Sequence, residues 1–172
     1  NMEIFGEIVG WPAPGAAPLM GTVDTTCLKD KEFTKTYGKT MTFHYGCQEG
    51  EYAFYIYRIC ELDSDGEVKI EYSTYQVKNW CEKHGFNCVP ILMDKVLTSE
   101  DNIEEIAEQY CDGESTLAHH WREGCVIRRE NICDKFKVYK NKNFNYKCMK
   151  GLATNQMKVD GNISQDLLDE LA

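Results

Sequence analysis

One run of residues constrains the fold more than any other part of this sequence. Residues 52–59 read Tyr-Ala-Phe-Tyr-Ile-Tyr-Arg-Ile and are almost entirely apolar or aromatic. A short run of this composition favours a β-strand with both faces covered. Residues 63–66 then predict a turn, and residues 68–72 alternate like the returning strand of a hairpin. We therefore expect an antiparallel sheet in this part of the chain.

Two helices are predicted beyond this hairpin. Ser73 is a good capping residue and Gly85 a good terminator, so the pattern between them predicts a helix over residues 74–84. A second helix is expected over residues 99–111, with Thr98 at its start and Asp101 completing a partial capping box. Its buried stripe is expected to consist of Ile103, Ile106, Ala107 and Tyr110. The chain is thus predicted to be an α+β protein with antiparallel sheets and flanking helices.

The N-terminal region has a different character. Residues 3–10 alternate so that Glu3, Phe5 and Glu7 share one face of a predicted strand. Residues 11–50 are rich in proline and glycine, which predicts an irregular loop with one strand near residues 39–45.

Length and composition indicate the class of protein. The chain has 172 residues, of which 42% are hydrophobic, as in an ordinary globular domain. No run of about 18 apolar residues is present, so we expect no membrane contact. The nine cysteines are scattered and none forms a C-x-x-C pair, and no secretory leader opens the sequence. We therefore expect reduced thiols in a cytoplasmic protein.

Charge is distributed unevenly along the chain. The formal net charge is −9, which argues against a protein that coats nucleic acids through its overall charge. Residues 128–150, however, contain two acidic residues and a basic strip: Arg128, Arg129, Lys135, Lys137, Lys140, Lys142, Lys147 and Lys150. Such a strip can hold phosphates within an acidic protein.

Two lysines of this strip carry the strongest chemical signal. Lys140 and Lys142 are separated by one residue, so on a strand they point to the same side. Neighbouring ammonium groups repel each other unless an anion lies between them. Glu123 precedes Gly124 at the start of another predicted strand, and its carboxylate could bind a ribose hydroxyl or Mg²⁺. Together these groups predict a site for a nucleotide polyphosphate.

His119 and His120 suggest a metal site less strongly. On a strand, adjacent side chains point to opposite faces, so the two imidazoles could not chelate one ion there.

Four motifs occur in an order that resembles the covalent nucleotidyltransferases. Residues 4–10 (Ile-Phe-Gly-Glu-Ile-Val-Gly) are similar to the third motif of these enzymes, and residues 54–59 to the aromatic motif that follows. Residues 123–128 (Glu-Gly-Cys-Val-Ile-Arg) resemble the fourth motif, and residues 139–144 (Tyr-Lys-Asn-Lys-Asn-Phe) the fifth. The amino-acid sequences of these motifs are most similar to those of the phage-type, ATP-dependent RNA ligases.

The resemblance implies a fold and a reaction. Residues 1–150 would form an ATP-grasp-like adenylation domain, with residues 151–172 as a tail or short helix. The activity would be ATP-dependent joining of an RNA 5′-phosphate to a 3′-hydroxyl through a lysyl-adenylate. ATP and Mg²⁺ would be the cofactors, and RNA ends the partners.

The resemblance also implies residue roles. Glu7 would contact the ribose, Tyr57 would stack on adenine, and Glu123 would place Mg²⁺. Lys140 and Lys142 would neutralise the phosphates, although an alternative register puts Lys137 in place of one of them.

This sequence departs from the family pattern at the nucleophile. It is a lysine in a Lys-x-Asp-Gly motif before the third motif, whereas this sequence starts at the third motif with Asn1. Lys158-Val159-Asp160-Gly161 matches the Lys-x-Asp-Gly motif near the C-terminal end, where a circularly permuted enzyme would have it. We favour a chance match. We therefore expect an N-terminally incomplete chain whose nucleophile precedes Asn1. The alternative is an inactive nucleotide- or RNA-end-binding module. DNA ligation or capping is a third possibility, weakened because no oligonucleotide-binding domain is evident after the fifth motif.

Overall fold

The computed structural model describes residues 1–130 and 136–153. The strands, in chain order, are β1 (Met2–Gly10), β2 (Thr22–Asp24), β3 (Thr40–Thr42), β4 (Tyr52–Leu62), β5 (Val68–Glu71), β6 (Asn87–Cys88), β7 (Gly124–Arg129) and β8 (Lys137–Lys142). The helices are α1 (Lys31–Tyr37), α2 (Thr74–His84), α3 (Ile103–Cys111) and α4 (Phe144–Met149). The antiparallel sheets and helices confirm the predicted α+β class. In the described ranges no helix has the length and hydropathy needed to cross a membrane.

The chain divides into two compact units. Unit 1 comprises residues 1–21 and 43–91, and unit 2 comprises residues 22–42 and 92–172. The domain boundary proposed near residue 150 stays a prediction.

Unit 1 is built on a sheet with β4 in the middle. β1 and β5 pair antiparallel with β4, and β6 pairs parallel with it. Ile56 and Ile59 of β4 are fully buried against Val77 and Cys81 of α2. The prediction that both faces of β4 are covered was wrong in part, because the Tyr52 side chain is 67% exposed.

Helix α2 has the bounds that its capping residues predicted. The Ser73 hydroxyl accepts a hydrogen bond from the Gln76 N–H, and the Gln76 side chain accepts one from the Ser73 N–H. This reciprocal pair satisfies two N–H groups that a helix start leaves unpaired. Gly85 ends the helix with φ 72°, a conformation that glycine adopts without steric cost.

The strand predicted near residues 39–45 is confirmed in part by β3, but the prediction of an irregular loop was wrong for residues 22–37. β2 and β3 pair antiparallel, and a 3₁₀ turn (Thr25–Leu28) and α1 lie between them. Asp30 caps α1 by accepting from the Phe33 N–H, and the Phe33 ring is buried at 5.4 Å from the Trp121 ring. Aspartate caps and one buried aromatic thus stabilise elements too short to produce a periodic pattern.

Helix α3 begins later than predicted. Asn102 is its cap and accepts from the N–H groups of Glu104 and Glu105, whereas Asp101 accepts from the Thr98 N–H and forms a preceding turn. Thr98 and Asn102 both have side chains that can cap a helix, and helical backbone follows Asn102. As a result the predicted burial of Ile103 was also wrong, since this first-turn side chain is 46% exposed.

The adjacent histidines lie in the loop between α3 and β7, so the alternation of faces along a strand does not apply to them. His119 pairs through Nδ1 with the Glu114 carboxylate, and its Nε2 lies 3.2 Å from the Thr36 carbonyl oxygen. His120 is buried, with Nδ1 3.0 Å from the Trp121 carbonyl oxygen. The two rings therefore have separate partners.

The Glu114 pairing makes unit 2 sensitive to pH. The hydrogen bond to Glu114, followed by that to Thr36, raises the pKa of His119 above its ordinary value. Because the folded-state pKa is raised, the contribution is complete below about pH 6.5 and is lost as the pH rises through the raised value. We expect the melting temperature of the wild type to fall, relative to His119→Gln, as the pH rises above about 6.5. A constant difference across this range would contradict the pairing.

Candidate functional site

The β7–β8 hairpin presents two lysines on one face. Gly124 lies opposite Lys142 and Val126 lies opposite Lys140, so these four residues share one face. Both lysines are exposed, and Val126 is 59% exposed, so this face is open. Lys137 lies opposite Arg129 on the other face, which favours Lys140 and Lys142 over the alternative register.

Gly124 allows the hairpin to close beside Glu123. Its φ is 155°, and a Cβ at this position would lie 2.1 Å from the Asn141 carbonyl oxygen and 2.8 Å from the Lys142 Cα. Only glycine permits this close approach without displacement of β8. The approach places Glu123 at the start of β7, across from the end of the lysine-bearing strand.

Asn143 fixes this end of the hairpin. Its side chain is fully buried, and its backbone N–H donates to the Glu123 carbonyl oxygen at 2.8 Å. The side-chain oxygen caps α4 by accepting from the Tyr146 N–H at 3.1 Å, and the amide nitrogen donates to the Asp112 carboxylate. One residue thus connects the start of β7, the end of α3 and the start of α4.

We expect Asn143→Ala to destabilise unit 2 by about 2–4 kcal/mol. Loss of a helix cap costs about 1 kcal/mol, and loss of the buried amide donor costs about 1–3 kcal/mol more. Asn143→Ser is the matched variant, since it keeps a capping oxygen but lacks the amide. Denaturant unfolding should rank the wild type above the serine variant and the serine variant above the alanine variant. Equal stability of all three proteins would contradict the role of Asn143.

The Tyr146 ring supports Lys142 from α4. The ring is buried, and the Nζ atoms of Lys142 and Lys150 each lie 5.7 Å from its centroid. A cation at this distance is attracted to the ring quadrupole. The contact restrains Lys142 and adds the positive charge of Lys150 to the surroundings of the same ring.

Glu7 and Tyr57 belong to unit 1. Glu7 is exposed on β1 opposite Tyr55. The register shifts at Gly6, so that Tyr57 is an extra residue of β4 without a β1 partner. Tyr57 is 48% exposed, although its neighbour Ile56 is fully buried. Bulges of this kind redirect a side chain, and this one leaves the Tyr57 ring accessible.

A Mg²⁺ site at Glu123 stays a prediction. Among residues 1–130 and 136–153, no group of three or more His, Cys, Asp or Glu side chains could hold a metal ion. Mg²⁺ usually takes one or two carboxylates and completes its octahedron with phosphates and water. Glu123 would supply one such carboxylate, and the phosphates of the nucleotide would be further ligands.

Comparison with known proteins identifies the family. A family model described as RNA ligase matches residues 1–147. This chain belongs to the RNA ligase family. No curated protein and no solved structure gives a match. Membership supports a ligase-type function, general use of a nucleotide and a metal, and binding of RNA.

The match to the RNA ligase family contains every residue singled out for nucleotide binding. Glu7, Tyr57, Glu123, Lys140 and Lys142 all lie between residues 1 and 147. The Lys158-Val159-Asp160-Gly161 sequence and the terminal segment after residue 153 lie outside the described residues.

Sequence reasoning missed Asn143 and Tyr146 in this RNA ligase chain. An asparagine placed directly after a predicted strand and before Phe144 is a helix-cap signal, and it could have revealed α4. The contact of Tyr146 with two lysines had no comparable signal, because the spacing of four residues on either side of a tyrosine is common.

Proposed function

We propose that this chain handles ATP in an RNA ligase that joins a 5′-phosphate to a 3′-hydroxyl through a lysyl-adenylate. The observation that carries the proposal is the open face of the β7–β8 hairpin, where Lys140 and Lys142 lie side by side. The family match over residues 1–147 supports it.

Lys140 and Lys142 would stabilise the charge that develops on the phosphates. In adenylation a lysine amine attacks the α-phosphorus, and the bond to the departing pyrophosphate breaks. Negative charge accumulates on the leaving group, and positive charges fixed in advance stabilise it most effectively. The strand backbone and the Tyr146 ring hold Lys142 before the nucleotide arrives.

Glu123 would hold Mg²⁺ at the end of the same hairpin. When bound, the ion would neutralise phosphate charge and act as a Lewis acid at phosphorus. The Asn143 N–H donates to the Glu123 carbonyl oxygen and holds the backbone at this position.

In unit 1, Glu7 would accept a hydrogen bond from the ribose and Tyr57 would stack on adenine. Tyr57→Ala should weaken ATP binding by about 1–3 kcal/mol, the usual effect of losing one base-stacking ring. Tyr52→Ala is the matched control, since it removes an exposed tyrosine from the same strand. Titration of both variants with Mg·ATP tests the assignment, and equal losses in the two would contradict it.

Labelled ATP tests the proposed chemistry. The complete protein that contains this chain is incubated with Mg²⁺ and ATP labelled at the α-phosphate, denatured, and mapped by peptide. We expect an acid-labile adenylate on one lysine, which is discharged by RNA with a 5′-phosphate and a 3′-hydroxyl. A label on Lys158 would identify the nucleophile within this chain. ATP binding with no covalent label would contradict the ligase proposal and favour the binding module.

A further inference from the structure

Four rings of unit 2 form a cluster where α1 meets the loop before β7. Phe33 and Tyr37 lie one helical turn apart on α1, and their ring centroids lie 5.4 Å and 5.8 Å from that of Trp121. The His119 ring lies 5.2 Å from the Tyr37 ring at an interplanar angle of 30°. Phe33 is buried, whereas Tyr37 and Trp121 are half-buried. The His119 side chain is 65% exposed, so the cluster extends from a buried ring to the surface.

The exposed His119 ring is held from three sides. Nδ1 pairs with the Glu114 carboxylate, Nε2 lies 3.2 Å from the Thr36 carbonyl oxygen, and one face lies against Tyr37. Contacts of an exposed side chain add little stability, but they remove rotamer freedom that binding would otherwise have to remove. The exposed area includes the opposite face of the ring. This face is therefore preorganised to receive a flat group.

The charges around the His119 ring favour an anionic partner. Both ring nitrogens face oxygen acceptors, and an imidazole donates from both nitrogens only in its protonated form. The Arg122 guanidinium donates to the carbonyl oxygens of Tyr110 and Glu114, which leave its positive charge intact. Residues 29–39 add four lysines against two acidic residues. Positive charge at this surface attracts phosphates although the whole chain is acidic.

We propose that the stack of Tyr37 and His119 binds one unpaired base of the RNA end that the ligase joins. This role rests on the proposed RNA ligase function, since membership of that family supplies RNA as the anionic partner with flat groups. Unpaired bases stack on tyrosine and histidine rings, and cations nearby attract the phosphates of the strand. The base would lie on the open face of His119, opposite Tyr37.

The stack is close in sequence to the proposed reaction site. His119 lies four residues before Glu123, so their Cα atoms are at most about 14 Å apart. Stacked nucleotides rise about 3.4 Å each, so a strand that ends near Glu123 reaches His119 within about four nucleotides. The bound base would thus be one of the last few nucleotides of the RNA end.

The first test measures binding of a labelled, single-stranded hexaadenylate with a 5′-phosphate to the full chain, without ATP, by fluorescence anisotropy. We expect His119→Ala to weaken binding about 5- to 150-fold, the effect of losing one base-stacking side chain. His84→Ala is the matched control, because His84 is also exposed and lies 4.4 Å from the Trp80 ring in unit 1. It should leave the affinity unchanged. Unchanged affinity in His119→Ala, or equal losses in both variants, would overturn the proposal.

Two further replacements separate stacking from charge. His119→Phe keeps a flat ring and removes the charge, whereas His119→Lys keeps a positive charge and removes the ring. A phenyl ring can stack on a base, so we expect the phenylalanine variant to bind the hexamer more tightly than the lysine variant. The reverse order would assign this surface to phosphate attraction and would overturn the base-stacking site.

The wild-type chain provides a check that requires no folded variant. 4-Thiouridine replaces each nucleotide of the hexamer in turn, the complex is photo-crosslinked, and mass spectrometry identifies the linked peptide. We expect at least one position to crosslink to a peptide that contains Tyr37 or His119. Crosslinks confined to other peptides, such as the one that contains Trp80, would overturn the proposal.

Failure of the base-stacking site and failure of the proposed ligase chemistry give different results. The RNA assay contains no ATP, so RNA can bind at His119 even if no lysyl-adenylate forms, and that outcome would contradict the ligase chemistry alone. A lysyl-adenylate that RNA discharges, together with unchanged RNA affinity in His119→Ala, would contradict the base-stacking site alone.

Discussion

Replacement of Lys142 by alanine should weaken Mg·ATP binding about 10- to 150-fold. A hydrogen bond to a charged group contributes about 1.5–3 kcal/mol, and the variant would lose one such contact to a phosphate. The effect should be large for an exposed lysine because the strand and the Tyr146 ring restrain the side chain before ATP binds. It should also diminish as the salt concentration rises, since the site is open to solvent.

Lys137→Ala is the matched control for this prediction. Lys137 lies on the same strand but on the opposite face, so its removal lowers the net charge equally without touching the lysine face. Isothermal calorimetry should show a strong loss for Lys142→Ala and at most about a twofold change for Lys137→Ala. Similar losses in the two variants would assign the effect to overall charge and would remove Lys142 from the site.

Gly124→Ala should be the most destabilising single substitution in the hairpin. The new methyl group would lie 2.1 Å from the Asn141 carbonyl oxygen, and φ of 155° is strained for alanine. Backbone strain costs about 1–3 kcal/mol and overpacking a similar amount, so we expect a loss of about 2–6 kcal/mol. The clash occurs where β8 ends in Lys142, so the lysine face should be distorted as well.

Gly151→Ala separates strain from steric clash. Gly151 also has a positive φ, 73°, but a Cβ there would meet no atom within 4 Å. Its substitution should therefore cost only about 1 kcal/mol, from backbone conformation alone. Denaturant unfolding followed by circular dichroism compares the two variants with the wild type. Equal losses would contradict the close approach of β8 to Gly124.

The sequence predicted those elements whose signals are local and strong. β1 and β4 are recognisable from their apolar and aromatic residues, and α2 from the capping residues Ser73 and Gly85. Lys140 and Lys142 were expected to share a face because alternation along a strand needs no knowledge of the partner strand. The register of β7 against β8 then places Gly124 and Val126 on the same face as the two lysines.

Elements that depend on tertiary packing were missed or displaced. α1 is short and is stabilised by Asp30 and by burial of Phe33 against Trp121, a residue distant in sequence. The start of α3 was misplaced because Thr98 and Asn102 both have capping chemistry. The bulge at Tyr57 follows from the pairing of β4 with a distant segment, β1, so no local pattern could predict it.

One measurement tests the lysine face most directly: the affinity of the wild-type chain for adenosine, AMP and ATP, each with Mg²⁺, by calorimetry. If Lys140 and Lys142 bind phosphates, affinity should rise along the series, with ATP at least about tenfold tighter than adenosine. The difference should fall sharply in the Lys140→Ala/Lys142→Ala double variant and persist in Lys137→Ala. Equal affinity for adenosine and ATP, or no binding of either, would contradict the account of this chain as the ATP-handling part of an RNA ligase.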